Sequence, residues 1–401
     1  MKVLFVSGLY PHDYIEIYRK FSLNRLQNAA NVFQWGILEG LYKNKSNFNI
    51  LTLPFLPSYP RKYKKVFTLD GDIVFEGEKV GKMLKYCNLY ILKYFFIKKR
   101  VQKYIENWVK KHTNEEKLVI LVYSFYLPFI EAANNIKNKY SNVEIVPIVT
   151  DLVDDMMILE KDCNIFRRVQ INKIYKRTKK LYKCIDKFVL LSKYMVDKIP
   201  EANGRNIVIE GLAQEKPLSI TPKSDNKILL YAGTLKEYSG IRDFVNAFQK
   251  VKNPNYRFII CGKGDLSDMI LEATHNDPRI IYKGMVSREE VLKLQQQATI
   301  LINPRKPNGH LTRYSFPSKT IECLSSGTPM MGYKLEGIPE EYFNYFYTID
   351  DFSNDTLVDT IKHTMSLPQE ELNAKARMAY KFIMDNKTAE MQVKRLLNFI
   401  R

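Results

Sequence analysis

The stretch Arg313-Tyr314-Ser315-Phe316-Pro317-Ser318-Lys319-Thr320-Ile321-Glu322-Cys323-Leu324-Ser325-Ser326-Gly327-Thr328-Pro329 joins two short apolar runs, 299–303 and 329–332. Pro317 disfavours helix at Phe316, Ser318 suits an N-cap, and Gly327 stops the helix about two turns later. Strand, helix and strand in that order make a βαβ unit, the building block of a parallel sheet. The amides at the start of such a helix carry partial positive charge and suit a phosphate, and Lys319 adds a full charge beside them. Glu322 lies one turn further on, where its carboxylate can accept two hydrogen bonds from a vicinal diol such as a ribose. Without a ligand, the same residues read as a capped helix with a surface lysine and a solvated glutamate.

The pattern repeats outward from this unit. Strand candidates at 227–232, 257–261 and 280–283 precede it, each followed by a helix-length segment, so residues 227–385 read as one Rossmann-like sheet. A second series occupies 1–210, with strands at 2–6, 49–53, 118–122, 144–149, 188–192 and 207–210. Between its first two strands Leu26, Ala30, Phe33, Ile37 and Leu41 recur at helical spacing. Residues 211–226, with Pro217, Ser219, Pro222 and Ser224, read as a linker. The tail from Leu357 reads as successive helices broken at Leu367-Pro368, the last of them covering 386–401. The fold class is therefore α/β with two Rossmann-like domains, as 401 residues suggest against the roughly 100–200 usual for one domain. Tandem open sheets place ligands at the carboxyl ends of their strands.

Composition narrows the class. Apolar types make up 45% and charged types 26%, an ordinary globular mixture and neither a disordered chain nor a small disulfide scaffold. Cys87, Cys163, Cys184, Cys261 and Cys323 show no CxxC spacing, which argues against a zinc site or a disulfide framework and suits a reducing cytosol. The opening run Met1-Lys2-Val3-Leu4-Phe5-Val6-Ser7-Gly8 is too short for a signal peptide, and the apolar stretch 118–130 is too short to span a bilayer. The net charge of +19 is uneven: residues 1–210 hold 36 basic and 21 acidic side chains, the rest 26 and 22. The first half is thus the part that meets something anionic. Its basic, aromatic stretches are 93–111, with Phe95, Phe96 and Trp108, and 167–187, with nine Lys and Arg; both suit an anionic membrane surface.

The 313–329 stretch resembles the donor-binding helix of retaining glycosyltransferases of family 4, in the bacterial capsular and exopolysaccharide branch, through Phe316-Pro317-Ser318-Lys319 and Glu322. Further pieces match in order: Tyr231-Ala232-Gly233-Thr234-Leu235, Gly240-Ile241, Gly262-Lys263-Gly264, Gly284-Met285-Val286-Ser287, Leu301-Ile302-Asn303-Pro304-Arg305 and Gly337-Ile338-Pro339-Glu340-Glu341. In the first half Val149-Thr150-Asp151-Leu152 and Leu190-Leu191-Ser192-Lys193 are similar too, and the match is loose before residue 118. The resemblance implies the GT-B fold, with two Rossmann-like domains facing across a cleft and the C-terminal helices returning toward the N-terminal one. It further implies a nucleotide-sugar donor on the C-terminal domain, an acceptor on the N-terminal one, no cofactor and no bound metal.

Carried over by position, Glu322 is the ribose-binding glutamate. Gly233, Thr234, Gly262, Gly284, Met285, Val286, Tyr314, Phe316, Pro317, Ser318 and Lys319 line the donor, with Gly284 to Ser287 reading the base. Asp151 stands where the broader family often has a His facing the reacting sugar, and Ser7 and Gly8 fall in the loop facing the acceptor. Asp151 also reads as a helix N-cap. This sequence departs from the family where Tyr314 replaces the first glutamate, Thr234 an arginine and Ser239 a lysine, which leaves the donor's charge to Lys319 with Lys236 or Arg305. Asp70-Gly71-Asp72 reads as a turn, and His12, His112, His275, His310 and His363 are scattered.

The function expected is retaining transfer of a sugar, from UDP, to a hydroxyl of a lipid-linked saccharide. The place expected is the inner face of the cell membrane, where the chain sits peripherally during surface-polysaccharide assembly. Two other readings compete. A UDP-sugar 2-epimerase of the same fold needs acid and base groups for proton transfer at carbon, and no convincing set stands out. A basic nucleic-acid-binding protein leaves the phosphate-helix pattern unexplained, so no nucleic acid is expected.

Overall fold

The computed structural model describes residues 1–23, 26–90, 92–155, 165–218, 226–307 and 309–401. The chain forms two compact units, Met1–Leu212 with Ala389–Arg401, and Ala213–Thr388.

The first unit contains β1 (Lys2–Ser7), α1 (Ile15–Phe21), α2 (Asn28–Lys43), β2 (Phe48–Thr52), β3 (Gly71–Phe75), β4 (Glu78–Met83), α3 (Lys93–Lys111), β5 (Leu118–Tyr123), α4 (Leu127–Lys137), β6 (Val143–Val149), α5 (Ile165–Tyr182), β7 (Phe188–Leu190) and β8 (Asn206–Val208). Its strands lie in the order β3-β4-β2-β1-β5-β6-β7-β8, parallel except for the β3–β4 pair. Every residue of β5 is buried, as a central parallel strand covered on both faces requires. The strand order reverses between β1 and β5, so the loops after these strands meet at a switch point. There Ser124 takes φ +61°, a left-handed conformation uncommon outside glycine.

The hairpin β3–β4 corrects the expectation of a bare turn at Asp70-Gly71-Asp72. Asp72 lies inside β3 and pairs with Lys79 at 2.6 Å, while Asp70 Oδ1 accepts from the Lys85 amide at 2.9 Å. The turn itself is Glu76-Gly77, both with positive φ, the conformation that lets two twisted strands join tightly.

The second unit contains β9 (Lys227–Ala232), α6 (Ile241–Lys250), β10 (Tyr256–Cys261), α7 (Ser267–Asn276), β11 (Ile280–Gly284), α8 (Arg288–Gln297), β12 (Ile300–Asn303), α9 (Gly309–Arg313), α10 (Lys319–Leu324), β13 (Met330–Tyr333), β14 (Tyr347–Ile349), α11 (Asn354–Ser366) and α12 (Gln369–Asn386). Its all-parallel sheet runs β11-β10-β9-β12-β13-β14, with the reversal at β9 and β12. Each unit carries its own apolar core. Of the linker expected at 211–226, residues 219–225 lie outside the described residues. Its start is fastened into the second unit, where the Ala213 amide donates to Lys387 O at 2.7 Å.

The last helix, α13 (Ala389–Ile400), belongs to the first unit and packs on α2. Gly40 of α2 makes this approach possible, since a Cβ there would strike Ala389 O and Val393. Asn44 Nδ2 donates to Glu390 O at 2.9 Å and Gln392 Nε2 to Glu210 at 3.2 Å.

Candidate functional site

In the second unit the loops at the β9/β12 switch point hold most of the residues expected on the donor side. Lys319 reaches from the start of α10 to the end of β9, where its ammonium donates to Ala232 O and lies 5.0 Å from the centre of the Tyr231 ring. Gly233 leaves room for it, because a Cβ would collide with the Lys319 Nζ and the Tyr231 hydroxyl. The Tyr231 hydroxyl donates to Thr234 O at 2.8 Å and fixes the turn that exposes Thr234. Arg305 follows β12, half-buried beside Tyr238, and burial lowers its pKa. Gly240, at φ +75°, brings the start of α6 against Pro304 O, where a side chain would not fit. Lys236 is exposed just before that helix, while Ser239 is buried and donates to Lys236 O.

The glycines serve a different purpose from the one their spacing suggests. The Gly233 amide donates to Cys261 O at 2.9 Å and the Gly262 amide to Gly284 O at 2.7 Å, so neither points at a ligand. Gly262, at φ +139°, lies against Gly233 O, and Gly264 lies against Leu235 O. They let the loops after β9, β10 and β11 stack closely into one floor. Met285 is exposed above that floor and Val286 packs into the core beneath it.

In the 313–329 stretch Phe316 and Pro317 are buried, with Phe316 5.5 Å from Tyr342. Tyr314 is half-buried, edge-on to His310 at 4.9 Å. Ser318 stands at the N-cap position as expected, exposed and with helical φ and ψ, but its side chain makes no capping bond; the Pro317 carbonyl accepts from the Thr320 amide at 2.8 Å. The helix has only six residues, which leaves the charge of Lys319 rather than a helix dipole to meet an anion.

Glu322 is exposed one turn beyond Lys319. Its Oε1 accepts from Gln295 Nε2 of α8 at 3.1 Å. Beneath it the buried Cys323 thiol is raised to about 12 by burial and by Glu322, against the opposing pull of Lys319 and Lys216. Burial lowers the Lys216 pKa, and Glu322 acts the other way. Gln295 and Lys216 were not among the residues expected at the site. One sits in a Gln-Gln-Gln run and the other in a proline-flanked segment, and neither pattern carries a signal.

In the first unit Asp151 is exposed after β6 and accepts from Thr150 Oγ1 at 2.9 Å. The next amide, of Leu152, donates to Asp155 Oδ2 at 3.3 Å, so the capping seen there comes from Asp155. Residues 156–164, onto which an N-cap at Asp151 would lead, lie outside the described residues. Ser7 is buried, its Oγ 3.4 Å from Leu51 O, and the Gly8 amide donates to Gln34 Oε1 at 2.7 Å with the Phe55 ring over it. Both are packed inward.

The first unit carries 39 basic and 22 acidic side chains, the second 23 and 21. Of the aromatics expected to face outward from α3, Trp108 is only 5% exposed and donates to Asn49 Oδ1 at 2.9 Å, a correction that follows from its place on the apolar stripe with Ile97, Val101 and Ile105. Phe95 is 59% exposed. Lys93 turns inward to Leu56 O, and burial lowers its pKa to about 8. Beside α3, Tyr90 donates to Gln170 of α5 at 3.1 Å, next to the exposed Ile165 and Val169.

Residues 213–381 match the family model described as glycosyl transferases group 1. No curated protein matches the chain. Among solved structures the chain is similar to the lipopolysaccharide outer core galactosyltransferase WaaB in its apo form, at 12% identity over 100% of this chain and 99% of that one, with a TM-score of 0.60. It is similar to sucrose-phosphate synthase from Thermosynechococcus elongatus, at 12% identity, 100% and 99% coverage and a TM-score of 0.65. A third likeness is to the E. coli trehalose-6-phosphate structure bound with UDP-2-fluoro glucose, at 8% identity, 99% and 98% coverage and a TM-score of 0.63. These likenesses establish the GT-B fold. The family match falls within the second unit, Ala213–Thr388.

Proposed function

We propose that the chain is a retaining glycosyltransferase that moves a sugar from a nucleoside diphosphate, UDP, to a hydroxyl of a lipid-linked saccharide in surface-polysaccharide assembly. The observation that carries this reading is the meeting of Lys319 with the end of β9 at the switch point, with Glu322 one turn further along the same exposed edge. A cation and a carboxylate so spaced suit the diphosphate and the ribose of one nucleotide. The reaction is front-face attack by the acceptor hydroxyl, whose proton goes to the departing diphosphate. Lys319, with Arg305, stabilises the charge that grows on the phosphates. Asp151, exposed at the end of β6, holds the acceptor or the transferred sugar, so that the protein's contribution is positioning rather than covalent chemistry.

Glu322→Ala removes hydrogen bonds to a charged group, a loss of about 1.5–3 kcal/mol, so UDP affinity drops at least tenfold. The same change leaves the buried Gln295 amide without its acceptor, so a modest fall in unfolding temperature accompanies it, and binding is measured well below that temperature. Titration calorimetry checks this, and an unaltered UDP affinity removes the donor-site reading.

The basic first unit docks reversibly on an anionic leaflet through α3 and α5, with Phe95, Ile165 and Val169 seated at the headgroups and the lysines and arginines around them. Each basic side chain near such a surface contributes about 1 kcal/mol, screened by salt. The protein therefore cosediments with anionic vesicles and not neutral ones, and molar salt releases it. Equal partitioning onto both kinds of vesicle, or onto neither, assigns the basic surface to another partner.

A further inference from the structure

We infer that Gln295 is a positioning residue for the nucleotide, holding the Glu322 carboxylate in the orientation that meets the ribose. The inference rests on the reading of Glu322 as the ribose acceptor.

Gln295 stands near the end of α8, 5% exposed, an unusual setting for an amide side chain. Its backbone is anchored, since Thr328 Oγ1 donates to Gln295 O at 2.7 Å. Its side-chain amide faces the carboxylate with the nitrogen end, because a carboxylate only accepts. The other end, Oε1, is buried without a hydrogen-bond partner. A leucine or methionine would fill the same space without that penalty, so packing does not account for the amide. What the amide does is hold Glu322 Oε1 at 3.1 Å.

Glu322 itself lies on an exposed helix edge, where a glutamate side chain samples many rotamers. A donor fixed in the neighbouring helix selects one of them before the ligand arrives, and binding then costs less ordering. The bond does not use up the carboxylate. Each oxygen has two acceptor positions, so Oε2 and the remaining lone pair of Oε1 still face a vicinal diol. Lys216, whose charge acts on the same carboxylate, adds a cation to this group without replacing the directional bond.

The test measures binding of UDP and of its 2′-deoxy analogue to four proteins: wild type, Gln295→Met, Glu322→Ala and the double variant. Methionine keeps the volume and removes the donor. Wild type is expected to prefer UDP about tenfold over the deoxy analogue. Gln295→Met lowers UDP affinity about fivefold, leaves the deoxy analogue within twofold, and has no further effect when Glu322 is already alanine. An equal loss for both ligands, or a full loss added to that of Glu322→Ala, makes Gln295 merely structural and overturns the inference. So does an unchanged Gln295→Met when Glu322→Ala abolishes the preference. If Glu322→Ala itself leaves the preference intact, the reading of Glu322 fails instead. Should Gln295→Met not fold, Gln295→Asn, which draws the same amide back by one methylene, is measured against the same outcomes.

Discussion

Lys319→Ala lowers affinity for UDP about ten- to a hundredfold and affinity for uridine hardly at all. The ammonium is held at the end of β9 by Ala232 O and the face of Tyr231, in the space that Gly233 leaves open. It has three donors, and the bond to Ala232 takes one. The remaining two face a phosphate with charge-assisted bonds, which contribute about 1.5–3 kcal/mol together with the charge itself. The backbone around it does not make up the loss. The glycine amides of the floor are already bonded to Cys261 O and Gly284 O, and α10 is too short to offer much of a dipole. Calorimetric titrations with the two ligands at low and moderate salt measure the difference, which narrows as salt rises. Equal losses for UDP and uridine place Lys319 away from the phosphates.

The contrast between Lys319 and the glycines shows where the sequence was legible. A parallel strand buried on both faces writes itself as a continuous apolar run, so β1, β5, β9 and β12 stood out with little ambiguity. The strands β3, β4 and β14 did not: β3 and β14 are edge strands, β14 has only three residues, and β4, one strand in from the edge, mixes charged with apolar residues. Glycine marks a place where the backbone must pass close to something, yet the sequence does not say what. At Gly233 the neighbour is a lysine from 86 residues away, and at Gly262 it is another loop. Trp108 and Phe95 both sit on a basic helix, and only the register of that helix against the sheet buries one and exposes the other. Gln295 was invisible for a similar reason. A buried amide is defined by the group it meets, and Glu322 is remote in sequence.

Glu131→Gln destabilises the first unit by about 2 kcal/mol at neutral pH. Glu131 is buried on α4 and binds Lys98 of α3 at 2.7 Å and Arg177 of α5, so one carboxylate ties together the helices that carry the basic surface. Removing the charge leaves two cations facing a buried site. Loss of one partner from a buried pair costs about 3–5 kcal/mol, and the effect here falls below that range because Arg177 is about half exposed and regains water. For a unit of this size that is a fall of about 4–8 °C in its unfolding temperature. The pH dependence has a definite sign. Burial pushes the Glu131 carboxyl up, but Lys98, Tyr94 and Arg177 outweigh it and hold it below its ordinary value near 4.5. A carboxyl lowered in the folded state contributes stability above its unfolded value and loses it as the pH falls through the folded one. The unfolding temperatures of wild type and Glu131→Gln therefore differ at pH 7 and converge in acid. A difference that persists undiminished below that range assigns the effect to packing, and no difference at pH 7 removes Glu131 as the tie between the three helices.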